Sequence, residues 1–238
     1  MLLSKRLVAN IAHSDDIPFR CPASVFAERN LSSLLMYRSL IKLHCTIGSL
    51  SNIKYAKQLL KEAIQDESAT PKMFTYLIKA YGKLKLFDKA REIFDLAKQH
   101  NIVNSYIYHS MIFVYAKNRQ IKQAEGLLNE ALDDVGIRTP HLFKPLLVAY
   151  GLQRRIDGAR IVFEKARTLE LADGSIYSAF IFTQLRKHNF GSAELLFIEA
   201  CEKEVATKEM FDSLIKTFSD LGQTRRVQRI TKAWYEVD

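Results

Sequence analysis

The 238-residue sequence predicts an all-α solenoid of stacked helical hairpins, on three observations. Small residues recur at a fixed period: Ala56, Ala90, Ala124, Ala159 and Ala193 lie 34, 34, 35 and 34 residues apart. Each is followed seven positions on by a second alanine, at Ala63, Ala97, Ala131, Ala166 and Ala200. Aromatic residues keep the same period sixteen positions ahead of the later alanines, at Phe74, Tyr108, Phe143 and Tyr177, with Phe211 opening a truncated copy. Finally, only 9 Gly and 5 Pro interrupt a chain that is 48% hydrophobic, which leaves long stretches free for helix and enough apolar surface for a core. A period of this size marks a repeat architecture.

The first helix of each unit starts from the aromatic. Large side chains follow three and four positions later (Leu77 and Ile78, Met111 and Ile112, Leu146 and Leu147, Phe180 and Ile181), and Tyr81, Tyr115 and Tyr150 complete an i, i+3, i+4, i+7 stripe. The second helix is exemplified by Phe87, Ala90, Phe94 and Ala97. Its paired alanines let two helices cross closely at no cost in helix propensity. A lone hairpin cannot bury both stripes, so the hairpins must stack.

The expected units are 34–70, 71–104, 105–139, 140–173 and 174–207, followed by a partial repeat and capping helix over 208–238. The first unit is longer because GSLSNIKYA is expected to place about three extra residues in the turn between its helices. Residues 1–33 lack the period; SDDIPFRCP reads as a loop, and a capping helix is expected from Ala23. In the terminal stretch RRVQRITKAW, Arg225, Arg226, Arg229 and Lys232 share a helix with Val227, Ile230 and Trp234. Trp234 stands in the second alanine column, where it is expected to cover the open end of the stack.

Two superhelical families share this period. A tetratricopeptide repeat needs Gly or Ala where this chain has Ile78, Ile112, Leu147, Ile181 and Ile215, and usually ends its unit on Pro; neither is met. YLIKAYGKLKLFDKAREIF and its copy SMIFVYAKNRQIKQAEGLL instead resemble the pentatricopeptide repeat, over about residues 34–238 and most clearly over 71–200. The chain departs from the family in carrying Ala where Met is usual in the second column, and Asn101 in place of a closing Gly.

The resemblance implies a right-handed superhelix holding single-stranded RNA along its concave groove, one base per repeat. At the paired base-reading positions it implies, Thr75 with Asn104 and Ser178 with Thr207 fit the family's small polar pairs, whereas His109 with Thr139 and Lys144 with Asp173 depart from them. The first pair is of the kind the family uses for adenine, whereas Lys144 and Asp173 are expected to pair with each other. Where the family sets a small aliphatic wedge, Lys72, Tyr106, His141 and Ser175 stand, and Tyr106 and His141 are expected to stack on bases. Such readers imply low sequence specificity, or RNA held within a larger ribonucleoprotein.

Charge supports a polyanionic partner independently of the resemblance. The chain carries +9, and the sixty residues from just after each aromatic through the following turn hold twelve Lys or Arg and no Asp or Glu. At the chain's average acidic content, about six or seven acids would be expected there. Burial cannot explain the gap, because it excludes Lys as firmly as Glu. Stacking should bring Lys79, Lys83, Lys85, Lys117, Arg119, Arg154, Arg155, Arg186 and Lys187 into one basic ribbon that phosphates could follow.

Other chemistries are not indicated. No run of 18 apolar residues occurs; Cys21, Cys45 and Cys201 form neither a disulfide framework nor a zinc motif. The six histidines lack metal spacing, Asp133 and Asp134 read as a solvated helix end, and there is no phosphate loop or nucleophile elbow. No cofactor, metal, membrane or small-molecule substrate is expected. The leader MLLSKRLVANIAHS, with Lys5 and Arg6 and no acid before Asp15, is compatible with a mitochondrial presequence. The resemblance favours an organelle, foremost the mitochondrial matrix, with a bacterial or cytoplasmic setting left open. The expected function is non-catalytic binding of single-stranded RNA in processing, stabilisation or translation. The alternative is a protein-interaction scaffold, an adaptor or ribosome-associated component, taking an acidic peptide or partner helix in the same groove.

Overall fold

The structure, a computed structural model, describes residues 30–236. The capping helix expected from Ala23 and the leader lie outside the described residues. Among the described residues there are twelve α-helices and no strand. They form six hairpins: α1 (Asn30–Ile47) with α2 (Leu50–Gln65), α3 (Pro71–Lys83) with α4 (Phe87–Gln99), and α5 (Ser105–Lys117) with α6 (Ile121–Asp133). A 3₁₀ turn (Pro140–Leu142) then leads into α7 (Lys144–Leu152) with α8 (Ile156–Thr168), α9 (Gly174–Arg186) with α10 (Phe190–Glu202), and α11 (Lys208–Asp220) with α12 (Thr224–Tyr235). No helix among the described residues is long and apolar enough to cross a membrane.

Both alanine columns are fully buried, as are Phe74, Phe143 and Tyr177, so the periodic residues are the core. Each buried aromatic contributes on the order of 2 kcal/mol by leaving water. The first helices α1, α3, α5, α7 and α9 pack on one another in an unbroken row, whereas the second helices from α2 to α10 pack mainly against first helices. A tight inner row and a fanned outer row curve the stack, with the first helices lining the concave side. The row stops after α9: the last hairpin docks through α12 onto α10 instead.

The turns inside the units are built alike. In α3, the Leu86 amide donates to the Tyr81 carbonyl (3.0 Å) and the Lys85 amide to the Gly82 carbonyl (3.2 Å), the pair of bonds that closes a helix on a left-handed residue. That residue has positive φ at all six turns: Gly48, Lys85, Arg119, Arg154, His188 and Gly222. Most unit ends repeat the device on the second alanine, as where Ile102 donates to Ala97 (3.0 Å) across Asn101 at φ 55°.

Three details differ from expectation. The first helix begins at Asn30, about one turn before residue 34. The extra residues of the first hairpin sit inside α2, which has 16 residues where α4 has 13, and not in the turn. Three residues are close to one helical turn, so the helix absorbs them without rotating its apolar face, and Ile53 joins Ala56 in the core. After α6 the left-handed closure is replaced by Asp134 accepting from the Gly136 amide (2.9 Å) and by the Arg138 guanidinium donating to the Leu132 carbonyl (2.6 Å). This accounts for the one 35-residue step.

Candidate nucleic-acid interface

Side chains that the first helices do not bury form rows on the concave face. Two positions before the aromatic stand Lys72, Tyr106, His141 and Ser175; five after it stand Lys42, Lys79, Phe113, Val148 and Phe182. None of these is buried, and none is acidic. The five helices of the inner row contain no Asp or Glu at all, while α11, which lies outside that row, carries Glu209, Asp212 and Asp220.

The ion-paired carboxylates lie on the other layer. Among the described residues the ion pairs run along the second helices and their C-caps. Lys57 with Glu92 (2.8 Å), Lys98 with Glu130, and Arg167 with Glu199 (3.2 Å) tie successive second helices together. Hydrogen bonds from Lys57 and Lys89 hold Glu92 down to about 2. Lys83, Lys85, Lys117, Arg119, Arg154, Arg155, Arg186 and Lys187 are all exposed, as is Lys79, and among the described residues none has an ion-pair partner. Three rest over rings of their own helix ends: Arg155 over Tyr150 (5.4 Å), Lys117 over Phe113 (5.7 Å) and Arg186 over Phe182 (5.8 Å). Such contacts pre-order a cation without neutralising it.

Several residues expected to read bases are engaged in local backbone bonds instead. Asn104 caps α5 by accepting from the Tyr106 and Ile107 amides, Asp173 caps α9 from the Ile176 amide (3.0 Å), and Thr207 caps α11 from the Met210 amide (3.3 Å). Asp173 therefore does not form the expected pair with Lys144, which stays exposed. The Thr75 hydroxyl is nearly buried and donates to the Lys72 carbonyl (2.8 Å); that of Thr139 donates to Ile137 (3.3 Å). Ser178 is half-buried on α9.

Tyr106 and His141 stack on each other, centroids 5.1 Å apart and planes at 23°, so each already has the ring partner a base was expected to supply. His109 meets His141 edge-on (5.3 Å) and stacks over Phe113 (6.3 Å). Burial, then His141, Lys79 and Lys144, push the His109 imidazole down to about 4. The Nε2 of His141 is buried with no hydrogen-bond partner.

The sequence reading missed Glu194. It is 3% exposed on α10 and takes Arg226 and Arg229 (3.2 Å) from α12, so two of the terminal cations anchor the cap. A lone acid 32 and 35 residues before two arginines carries no helical signature from which this could be read. Trp234 does cover the end, stacked on Phe211 at 5.1 Å and Phe197 at 6.2 Å. No group of three or more His, Cys, Asp or Glu suited to a metal occurs among the described residues.

Comparison with known proteins places this architecture. The model of the PPR repeat matches residues 72–102 and 106–134. In Arabidopsis thaliana, the chloroplastic pentatricopeptide repeat-containing protein At4g30825 is 46% identical over 46 residues, 19% of this chain and 5% of that protein. The mitochondrial At3g53360 is 23% identical over 199 residues, 83% of this chain. The chain spans only 25% of that second relative's length. Among solved structures, the maize pentatricopeptide repeat protein PPR10 in complex with an 18-nt psaJ RNA element superposes with a TM-score of 0.62 at 15% identity, covering 90% of this chain and 32% of that one. Two units, residues 72–102 and 106–134, thus match the pentatricopeptide repeat itself, and like hairpins stack on either side of them.

Proposed function

We propose that the chain binds single-stranded RNA along its concave face without acting on it chemically, holding it for processing, stabilisation or translation in an organelle, the mitochondrial matrix foremost. One observation carries the reading: among the described residues the ion pairs lie on the outer layer, the inner-row helices contain no carboxylate, and the cations at their edge have no ion-pair partner. A phosphate backbone would supply the missing anions, and each contact would release counterions. PPR10 in complex with RNA, and the mitochondrial and chloroplastic assignments of the relatives, support it. Because Asn104, Asp173 and Thr207 serve as helix caps, the strand is held mainly by phosphate contacts and stacking, with low sequence selectivity.

The test is fluorescence anisotropy with mixed-sequence single-stranded RNA at two salt concentrations. If about four phosphates are neutralised, affinity falls roughly 50-fold for a fourfold rise in salt. Absence of binding at low salt rejects the reading in favour of the protein-interaction scaffold, which a labelled acidic peptide would then test.

A further inference from the structure

Cations line the turns of the second to fifth hairpins and no others. The four residues that begin nine positions after each aromatic hold Lys83 and Lys85, Lys117 and Arg119, Arg154 and Arg155, and Arg186 and Lys187. The first turn, residues 46–49, has no charge at all; the sixth has Asp220, Leu221, Gly222 and Gln223, an acid and no cation. The helix leading into that sixth turn changes sign with it. Glu209 stands in the register of Lys72, Tyr106, His141 and Ser175, and Asp212 in that of Thr75, His109, Lys144 and Ser178. All three carboxylates are exposed, and among the described residues none has an ion-pair partner. Lys208 and Lys216 offset two of them, which leaves α11 net negative next to five inner helices that carry no acid.

The stacking breaks at the same place. Cys45, Gly82, Ala116 and Gly151 share one register, a small residue where each inner helix meets the next. A Cβ on Gly82 would stand 2.5 Å from Cγ2 of Val114, and one on Gly151 2.7 Å from the Thr183 hydroxyl. On α9 that register holds Leu185, a side chain too large for such an approach, and α11 leaves the row. Past α9, a polyanion following the inner row meets a helix that is both displaced and of its own sign. We propose that the sixth hairpin is an end-stop: RNA occupies the inner row as far as α9, and Glu209, Asp212 and Asp220 turn the strand away. The inference rests on the RNA reading and adds to it the point where the bound strand ends. Repulsion between exposed charges reaches about 10 Å at 0.1 M salt, comparable with the spacing of packed helices, so carboxylates on one helix guard the width of one unit.

The experiment uses oligouridines of five and fifteen nucleotides carrying 4-thiouridine, the shorter matched to five inner helices at about one base per repeat. They are bound to the wild-type chain and to the triple variant Glu209→Gln, Asp212→Asn, Asp220→Asn, whose fold is checked by circular dichroism. Anisotropy gives the affinity, and mass spectrometry maps the photocrosslinked residues. In the wild type, crosslinks are expected on the inner row and none on residues 208–223. The variant is expected to bind the longer RNA roughly fivefold tighter, the scale of three exposed charge interactions, and to gain crosslinks on α11, with the shorter RNA bound as before. Wild-type crosslinks on α11, or a folded variant lacking either the gain for the longer RNA or the new crosslinks, overturn the end-stop while leaving RNA binding intact. An equal gain for the shorter RNA overturns it too, because the carboxylates then act on the whole groove and not at its end. Failure of both RNAs to bind at low salt rejects the RNA reading, and the end-stop with it.

Discussion

Each turn between the two helices of a unit needs one residue in the left-handed region, and only the first and last give it to glycine. Lys85, Arg119, Arg154 and His188 occupy it in the other four, at φ between 55° and 64°. A side chain there costs about 1 kcal/mol, which a site selected for stability alone would shed. Three of the four belong to the unpaired basic edge or its candidate contacts, so the strain is consistent with a requirement for charge. Arg119→Gly is expected to hold or raise stability by up to ~1 kcal/mol in urea unfolding and to weaken RNA binding. Asn101→Gly, at an equally left-handed position on the outer end of α4, should bring a similar gain in stability and leave binding alone. The turn positions were visible in the sequence, but the conformation was not, because no glycine marks it between Gly48 and Gly222 in this row. The caps at Asn104, Asp173 and Thr207 were open to the same misreading: a polar residue at the end of a unit is also the residue before the next helix, and the orphan amides there claim it first.

Close approach between helices depends on what lacks a side chain. A Cβ on Gly82 of α3 would stand 2.5 Å from Cγ2 of Val114 on α5, while one on Gly126 of α6 would meet nothing within 4 Å. Gly82→Ala is therefore expected to cost about 1–2 kcal/mol by forcing the two inner helices apart, and Gly126→Ala to gain about 0.5–1 kcal/mol through helix propensity. Urea midpoints of the two variants should move in opposite directions. The docking of α12 on α10 turns on the buried Glu194, whose two arginines differ in exposure, 33% for Arg226 against 73% for Arg229. Arg226→Ala should cost about 2 kcal/mol or more, because it strips a buried carboxylate of its less solvated partner; Arg229→Ala should cost far less. Helix existence and order were legible from the apolar stripes beginning at Phe74, Tyr108, Phe143 and Tyr177. Where the added residues of the first hairpin went was not, since an insertion of nearly one full turn preserves the stripe whether it lengthens α2 or the loop before it.

Across the molecule the period of Ala56, Ala90, Ala124, Ala159 and Ala193 announced the stack. The acid-free windows announced which layer would be free of carboxylates. What a single sequence could not show was pairing in space. Glu92, Glu130 and Glu199 are bound to Lys57, Lys98 and Arg167 on neighbouring second helices, away from the basic edge. Nor could it show that the inner row ends at α9, or that Tyr106 and His141 would close on each other. The resulting charge separation, ion pairs on the outer layer against an open cationic edge, is the central claim. Its most direct test is RNA binding by a variant with Lys83, Lys117, Arg154 and Arg186 all changed to Glu, measured by anisotropy beside helical circular dichroism. The account predicts an unchanged helical spectrum with binding abolished; a folded variant that binds RNA as tightly as the wild type, with the same salt dependence, would contradict it.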